Sequence, residues 1–410
     1  MPLFRGAGAI LVGALGVLAL CLGMTALGRG AGESYAVFLL PLSAEFGWDR
    51  SSATSVYSLF MAATGFFAPL AGHLFDRFGG RLVYAIGLGS LAIGYFAAGS
   101  LSDLWQFQIA IGGFCGFGAA LIGLAPAQAV VSRWFDKGLA TALAMTYGGL
   151  GIGTLIMAPL AEYLISRQGW RDAYGWYALV FAALCVFVLF LPWGRIAEGA
   201  PGNPRRHNRQ AGQSGPTLMV ALKTLEFWAF FVIFFVTAVS IYGISLQSVA
   251  YLVSGGMSEQ QAAFAFGTAG MLSFFGMTAT GMAADRFGHR IVATGSYGLT
   301  VIAIGALALV PADSTGILLV VYIVCFGLSM GARGPIITTL MARRFSGSGI
   351  GAILGAANFG QGLGAASGAF FSGLLFDLTD GYTAAFIGCT LAALIGAGLF
   401  WTVGTAPDPE

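Results

Sequence analysis

Gly72-His73-Leu74-Phe75-Asp76-Arg77-Phe78-Gly79-Gly80-Arg81 is the stretch from which the fold can be read. It sets an acid and two arginines between two apolar segments of membrane-spanning length. Glycine suits a tight backbone, Asp and Arg suit ion pairing, and the final Arg suits a water boundary. The stretch returns as Gly281-Met282-Ala283-Ala284-Asp285-Arg286-Phe287-Gly288-His289-Arg290. Asp76 to Asp285 is a shift of 209 in a chain of 410 residues. A charged turn repeated at half-length between apolar helices marks a duplicated membrane protein, and internal repeats are a feature of transporter folds. A second pair of markers agrees: Arg133-Trp134-Phe135 and Arg343-Arg344-Phe345 stand 210 apart.

Composition points the same way. The chain is 57% apolar and 9% charged, against roughly 25% charged residues in soluble domains. The net charge of +2 and the lack of a long basic block give no sign of nucleic-acid binding. Cys21, Cys115, Cys185, Cys325 and Cys389 all fall inside apolar runs and read as packed free thiols. His73, His207 and His289 fall on expected loops, so no metal site is expected. The apolar run after Arg5 continues past Leu40, too far for a cleaved signal peptide.

A spanning helix needs about 20 apolar residues. Twelve segments qualify: 8–43, 51–74, 82–101, 104–132, 138–166, 171–193, 224–254, 259–284, 291–311, 315–342, 348–376 and 382–404. The chain is therefore expected to be an all-α membrane protein of twelve transmembrane helices in two six-helix, pseudo-symmetric halves. Residues 1–193 form the first half, 194–223 a polar linker, and 224–410 the second half. With the N-terminus in the cytoplasm, fourteen of the nineteen Lys and Arg face that side and only Arg50, Arg167 and Arg171 face out. This bias places both termini and the linker in the cytoplasm. Gly149-x-x-x-Gly153, Gly360-x-x-x-Gly364 and Gly364-x-x-x-Gly368 give segments 5 and 11 small faces. They serve either static close packing or helices that rock past one another.

The pattern G-x-L-x-D-R-x-G-x-R resembles the signature loop between helices 2 and 3 of the major facilitator superfamily. The second copy has Ala283 at the Leu position. The resemblance covers nearly the whole chain. It implies a cytoplasmic latch built from Gly72, Asp76, Arg77, Arg81 and Arg133 and from Gly281, Asp285, Arg286 and Arg290; the plainer reading is a topology-setting turn. A narrower resemblance joins Arg133-Trp-Phe-Asp-Lys137, the Ala-rich run that follows and Gly148-Gly149-x-Gly151 to the monocarboxylate-transporter signature. Glu33-Ser-Tyr-Ala-Val-Phe-Leu39 is similar to that group's first-helix stretch, and Phe46-Gly-Trp48 suits it and its oxalate/formate-exchanging relatives. Two departures stand out. Glu33 replaces the group's first-helix Lys, and its eighth-helix Asp/Arg pair would fall near Ser273 and Met277.

Ionisable groups inside a membrane are costly and mark function. Arg29 and Glu33 lie in the first segment at i,i+4 spacing, on one face, among Gly28, Gly30 and Gly32, where the helix can bend. Arg333 lies ten residues before Arg343, about 15 Å into the bilayer. Their counterparts in the other half are Ala238, Tyr242 and Gly123, so these charges break the repeat. Arg333 with Arg29 suits a substrate carboxylate, the guanidinium fork matching that group. Glu33 suits proton coupling. The structural alternatives are an inert Arg29–Glu33 pair and an Arg333 bonded to carbonyls near Pro335. Tyr242, Asn358 and Gln361, with Gln128, Tyr147 and Gln247, are further polar candidates for the substrate or for helix–helix bonds. Phe114, Phe117, Phe274 and Phe275 could wall a pocket or fill core. Gly327-Leu-Ser329-Met-Gly331 matches a hydrolase pattern but lies in an apolar helix without the strand–turn–helix setting, and no Walker loop is present.

The expected activity is secondary active transport of a small organic anion, a monocarboxylate such as lactate or pyruvate, with a proton, across the cell (inner) membrane. The alternatives are oxalate/formate-type exchange and efflux of apolar metabolites or drugs. No catalytic residue, no cofactor and no nucleic acid are expected. The partners are the anion, a proton and membrane lipid, and the chain is expected to act as a monomer.

Overall fold

The computed structural model describes residues 13–135, 139–199, 217–312, 316–345 and 350–403. Arg5, Lys137, most of the expected linker and the tail lie outside them, as do the side chains of Asp76 and Asp285. Twelve helices are long and apolar enough to cross a membrane. They are α1 (Ala14–Phe46), α2 (Arg50–Phe75), α3 (Arg77–Ala98), α4 (Leu104–Trp134), α5 (Met145–Gln168), α6 (Trp170–Leu189), α7 (Leu225–Ser254), α8 (Glu259–Ala284), α9 (His289–Leu309), α10 (Ile317–Met341), α11 (Ala352–Thr379) and α12 (Thr383–Thr402). No strand occurs among the described residues. Helices are the expected solution, because a chain in lipid must satisfy its backbone internally.

In the signature turns the first glycine of the motif is not the one that reverses the chain. Gly72 and Gly281 sit inside helices, and a Cβ built on either meets nothing within 4 Å. The reversal falls instead on Gly79 (φ 79°) and Gly288 (φ 88°). These two are also 209 apart, and both occupy the left-handed region that glycine alone adopts without strain.

Three helices are broken near mid-span. In α1, helix geometry is interrupted at Ser34, directly after Glu33. In α4, Gly123 is extended (φ −82°, ψ −155°), and a π-helical stretch, Gln108–Cys115, precedes it. In α10 the break is Gly331–Ala332, and Arg333 opens the next helix. Gly123 and Arg333 are 210 apart, so α4 and α10 break at the same level of the repeat.

The small-residue motifs pack within each half. A Cβ on Gly149 would lie 2.8 Å from the Leu22 carbonyl oxygen of α1, and one on Gly368 would lie 2.6 Å from the Val239 carbonyl oxygen of α7. Static packing is therefore their role in this conformation. Other glycines join the halves: Gly65 of α2 meets Gly362 of α11, and Gly270 of α8 meets Gly151 and Thr154 of α5. Asp377 at the end of α11 accepts from the backbone N–H groups of Arg50 (2.9 Å) and Ser51 (2.7 Å), the first residues of α2. A carboxylate on a helix N-terminus is well placed. This seal lies at the end away from the signature turns. There one apolar core runs through both halves, from Leu39 and Val56 to Ile244 and Val249. Toward the turns, the second half keeps a separate core around Phe230, Ile337 and Phe400.

Candidate substrate site

A cavity of about 210 Å³ lies between the halves. From the first half it is lined by Thr25, Arg29, Met61, Gln128 and Tyr147, and from the second by Phe234, Tyr242, Met277, Met330, Arg333, Asn358 and Gln361. Among the described residues, the lining includes two arginines and no Asp or Glu.

The i,i+4 spacing of Arg29 and Glu33 brings them together as expected. Arg29 Nη2 donates to Glu33 Oε1 at 3.0 Å and to the Tyr242 hydroxyl at 2.8 Å. Glu33 and Tyr242 are repeat counterparts, so one guanidinium ties equivalent positions of the two halves. Arg29 Nη1 lies 3.6 Å from Met61 Sδ. Glu33 is 1% exposed and stands behind Arg29, not in the cavity wall. Its second oxygen accepts from the Tyr57 hydroxyl at 2.8 Å. Both carboxylate oxygens are therefore paired, as burial of a charge demands.

Arg333 is also 1% exposed. Its guanidinium carbon lies 4.2 Å from the centre of the Tyr297 ring. Nη2 donates to Thr300 Oγ1 and to the Ser329 carbonyl (3.3 Å). Nε and Nη1 have no partner. The carbonyl alternative is met only in part, by Ser329 and not near Pro335. Among the described residues no acid contacts this cation, and a buried charge without a counter-ion costs several kcal/mol.

Gln128 Nε2 donates to the Tyr147 hydroxyl at 2.9 Å. Asn358 is exposed and Gln361 partly exposed, both on the cavity face of α11. Gln247 is absent from the lining; it is buried with its amide oxygen and nitrogen both unpaired. The four phenylalanines do not wall the cavity. Phe114 and Phe275 are 47% and 53% exposed, Phe117 packs on Phe67 at 5.0 Å, and Phe274 lies against Gly148. In a bilayer an apolar outer face is as favourable as a core, so aromatic content alone does not locate a pocket.

Around the signature turns, arginines stack on aromatic rings. Arg77 lies over Phe78 (5.2 Å), Arg133 over Phe75 (5.4 Å), Arg286 over Phe287 (5.5 Å) and Arg290 over Trp401 (5.8 Å). Arg81 is exposed. The expected pairing of Asp76 and Asp285 lies outside the described side chains. Among the described residues, no group of three or more His, Cys, Asp or Glu could hold a metal.

Sequence reasoning did not reach Tyr57, Tyr297 or Thr300. Nothing distinguishes a tyrosine that orients a buried carboxylate from a core tyrosine until the helices are assembled. Tyr242 did carry a signal, as the repeat counterpart of Glu33.

The chain is similar to known transport proteins. Rat (Rattus norvegicus) monocarboxylate transporter 13 is 27% identical over 386 residues, covering 92% of this chain and 86% of its own. Mouse (Mus musculus) monocarboxylate transporter 12 is 27% identical over 409 residues, covering 93% and 83%. The fold is that of the nucleoside transporter NupG, at a TM-score of 0.72, 19% identity and coverage of 96% and 99%. The Major Facilitator Superfamily profile matches residues 18–369. Twelve spans, a repeat with its turn glycines in register and a cavity between the halves complete the case: the chain is a transport protein belonging to the Major Facilitator Superfamily.

Proposed function

We propose that this protein moves a monocarboxylate together with a proton across the cell (inner) membrane by alternating access. The observation that carries the reading is the charge of the cavity: two guanidinium groups, one carboxylate partner between them, and no acid in the wall. An anion supplies the missing charge. The similarity to monocarboxylate transporters points to the same class.

The network offers a coupling mechanism. Ionised Glu33 holds Arg29 Nη2. Protonation of Glu33 weakens that hold, because the hydrogen bond loses its charge assistance. Arg29 then turns its unsatisfied charge to the substrate carboxylate, with Arg333 below it as a second cation. Proton and anion arrive together, and the charge of the site is unchanged. Release of the proton restores the Arg29–Glu33 pair and expels the anion. With both termini in the cytoplasm, as the Lys/Arg bias favours, the sealed end is outward and the conformation is inward-facing.

The test is uptake of labelled lactate into proteoliposomes with and without an inward proton gradient. Uptake driven by the gradient and abolished by an uncoupler supports the reading; no uptake by folded protein overturns it for lactate. A second reading, efflux of apolar compounds, is favoured by the methionines of the wall. It predicts transport of neutral compounds that survives loss of Arg333.

A further inference from the structure

Five glycines line the cavity: Gly65, Gly123, Gly331, Gly334 and Gly362. Three are required by packing, and a fourth, Gly331, meets the flexible end of Met277. A Cβ on Gly65 would lie 2.8 Å from Gly362 Cα, and one on Gly362 would lie 2.8 Å from Gly65 Cα. A Cβ on Gly123 would lie 2.7 Å from the Ala119 carbonyl oxygen, and one on Gly331 would lie 2.6 Å from Met277 Cε. Gly334 differs: a Cβ there meets no atom within 4 Å. Its backbone is ordinary helix, in the segment Arg333–Arg344, so no left-handed conformation requires it. Glycine is among the poorest residues for a helix. Neither packing nor backbone accounts for Gly334, and what it leaves open is room in the cavity, one residue after Arg333 in the chain.

The room is large for a three-carbon acid. At a liquid share of about 30 Å³ per water, 210 Å³ holds about seven waters. A three-carbon acid takes the place of about three or four of them. The surrounding wall is apolar and adaptable: Met61, Met277, Met330 and Phe234. Thioether side chains fit irregular apolar bodies well.

We infer that Gly334 is a specificity-determining residue and that the preferred substrates are monocarboxylates bearing a bulky apolar body, aromatic or branched, seated beside Gly334 with the carboxylate on the arginines. This rests on the monocarboxylate reading above and narrows it. The body is recognised by the methionine wall, the head by charge, and the size limit is set by the missing side chain at position 334.

The experiment compares labelled lactate with labelled 3-phenyllactate, which share a head group and differ by a phenyl ring. Both are offered to proteoliposomes holding the wild-type chain, Gly334→Ala or Gly334→Leu. Leucine is the better helix former, and each variant is checked for unchanged melting and monodispersity. The wild type is expected to carry 3-phenyllactate with the higher kcat/KM. Gly334→Leu is expected to lower the 3-phenyllactate-to-lactate ratio by about tenfold or more, the size of discrimination that small steric changes give in apolar pockets. Gly334→Ala is expected to fall between. A wild type that carries lactate and rejects 3-phenyllactate overturns the size assignment alone, as does a Gly334→Leu that slows both acids equally. A wild type that carries neither acid overturns the monocarboxylate reading, and this inference falls with it.

Discussion

The seal at the end away from the signature turns makes a conformation-specific prediction. Gly373 of α11 packs on the first turn of α2: a Cβ there would meet Thr54 Oγ1 and lie 2.8 Å from the Arg50 carbonyl oxygen and 3.0 Å from its carbon. Ordinary contact begins at about 3.5 Å, so even alanine must push the helices apart by about half an ångström. Gly373→Leu adds three more carbons against backbone that cannot swing away. Overpacking of this kind costs about 1–3 kcal/mol. One turn on, the same movement strains the two bonds from Arg50 and Ser51 to Asp377, each worth about 1.5–3 kcal/mol where a charge is involved. The penalty falls only on the sealed arrangement, because the contact disappears when this end opens. A bias of 1–3 kcal/mol moves the equilibrium about 5- to 150-fold toward the opposite facing. Spin labels on Asp49 and Asp380, both exposed, report it by double electron–electron resonance, with the partly exposed Cys185 and Cys325 replaced by alanine. The distance distribution is expected to move outward in Gly373→Leu and less in Gly373→Ala. An unchanged distribution in a variant that melts like wild type would refute the argument that this contact holds the end shut.

Three further outcomes follow from the site and its packing. Glu33→Gln leaves Arg29 without a charged partner at any pH: uptake that rises as external pH falls in the wild type is expected to become flat, while exchange of labelled for unlabelled anion persists. If the variant still concentrates substrate on a proton gradient, Glu33 is not the coupling group. Arg333→Met removes a buried cation that no acid compensates; melting is expected to stay equal or rise, while kcat/KM falls about 10- to 100-fold with the lost charged contact. Lower melting with unchanged uptake would make Arg333 structural. Gly153→Val drives a side chain into Ala26 of α1, whose carbonyl carbon would lie 2.8 Å and Cα 3.0 Å from the new Cβ; the yield of monodisperse protein is expected to collapse, and wild-type melting would sink the packing role.

The twelve spans and the duplication were legible because both are written in one dimension: apolar length, and a charged turn repeated at a fixed shift. Arg29, Glu33 and Arg333 were legible because the bilayer makes each ionisable residue conspicuous. Their partners were not. The Arg29–Tyr242 bond spans 213 residues of chain, and only the assembled helices reveal it. For Arg333 the sequence offered a substrate carboxylate or carbonyls near Pro335, whereas its stacking on Tyr297 depends on how α9 lies beside α10. The motif holds several glycines, and sequence does not tell a packing or surface glycine such as Gly72 or Gly281 from the left-handed ones, Gly79 and Gly288. For the phenylalanines both readings stayed open for the same reason that the spans were easy: in lipid, apolar residues face every way, and Phe117 packs on the core while Phe114 and Phe275 face outward.

The paired interruptions at Gly123 and at Gly331–Ala332 give α4 and α10 a joint. Beyond it, toward the signature turns, run only short rods, Leu124–Trp134 and Arg333–Arg344, of 11 and 12 residues. Each is about 16–18 Å long. A swing of about 20° at the joint carries the far tip roughly 6 Å, the width of a helical turn. Two such levers, one from each half and hinged beside the cavity, would narrow or widen the end toward the signature turns by about this much. The residues that form the hinge are the residues beside the ligand, so filling the site and moving the levers become a single event.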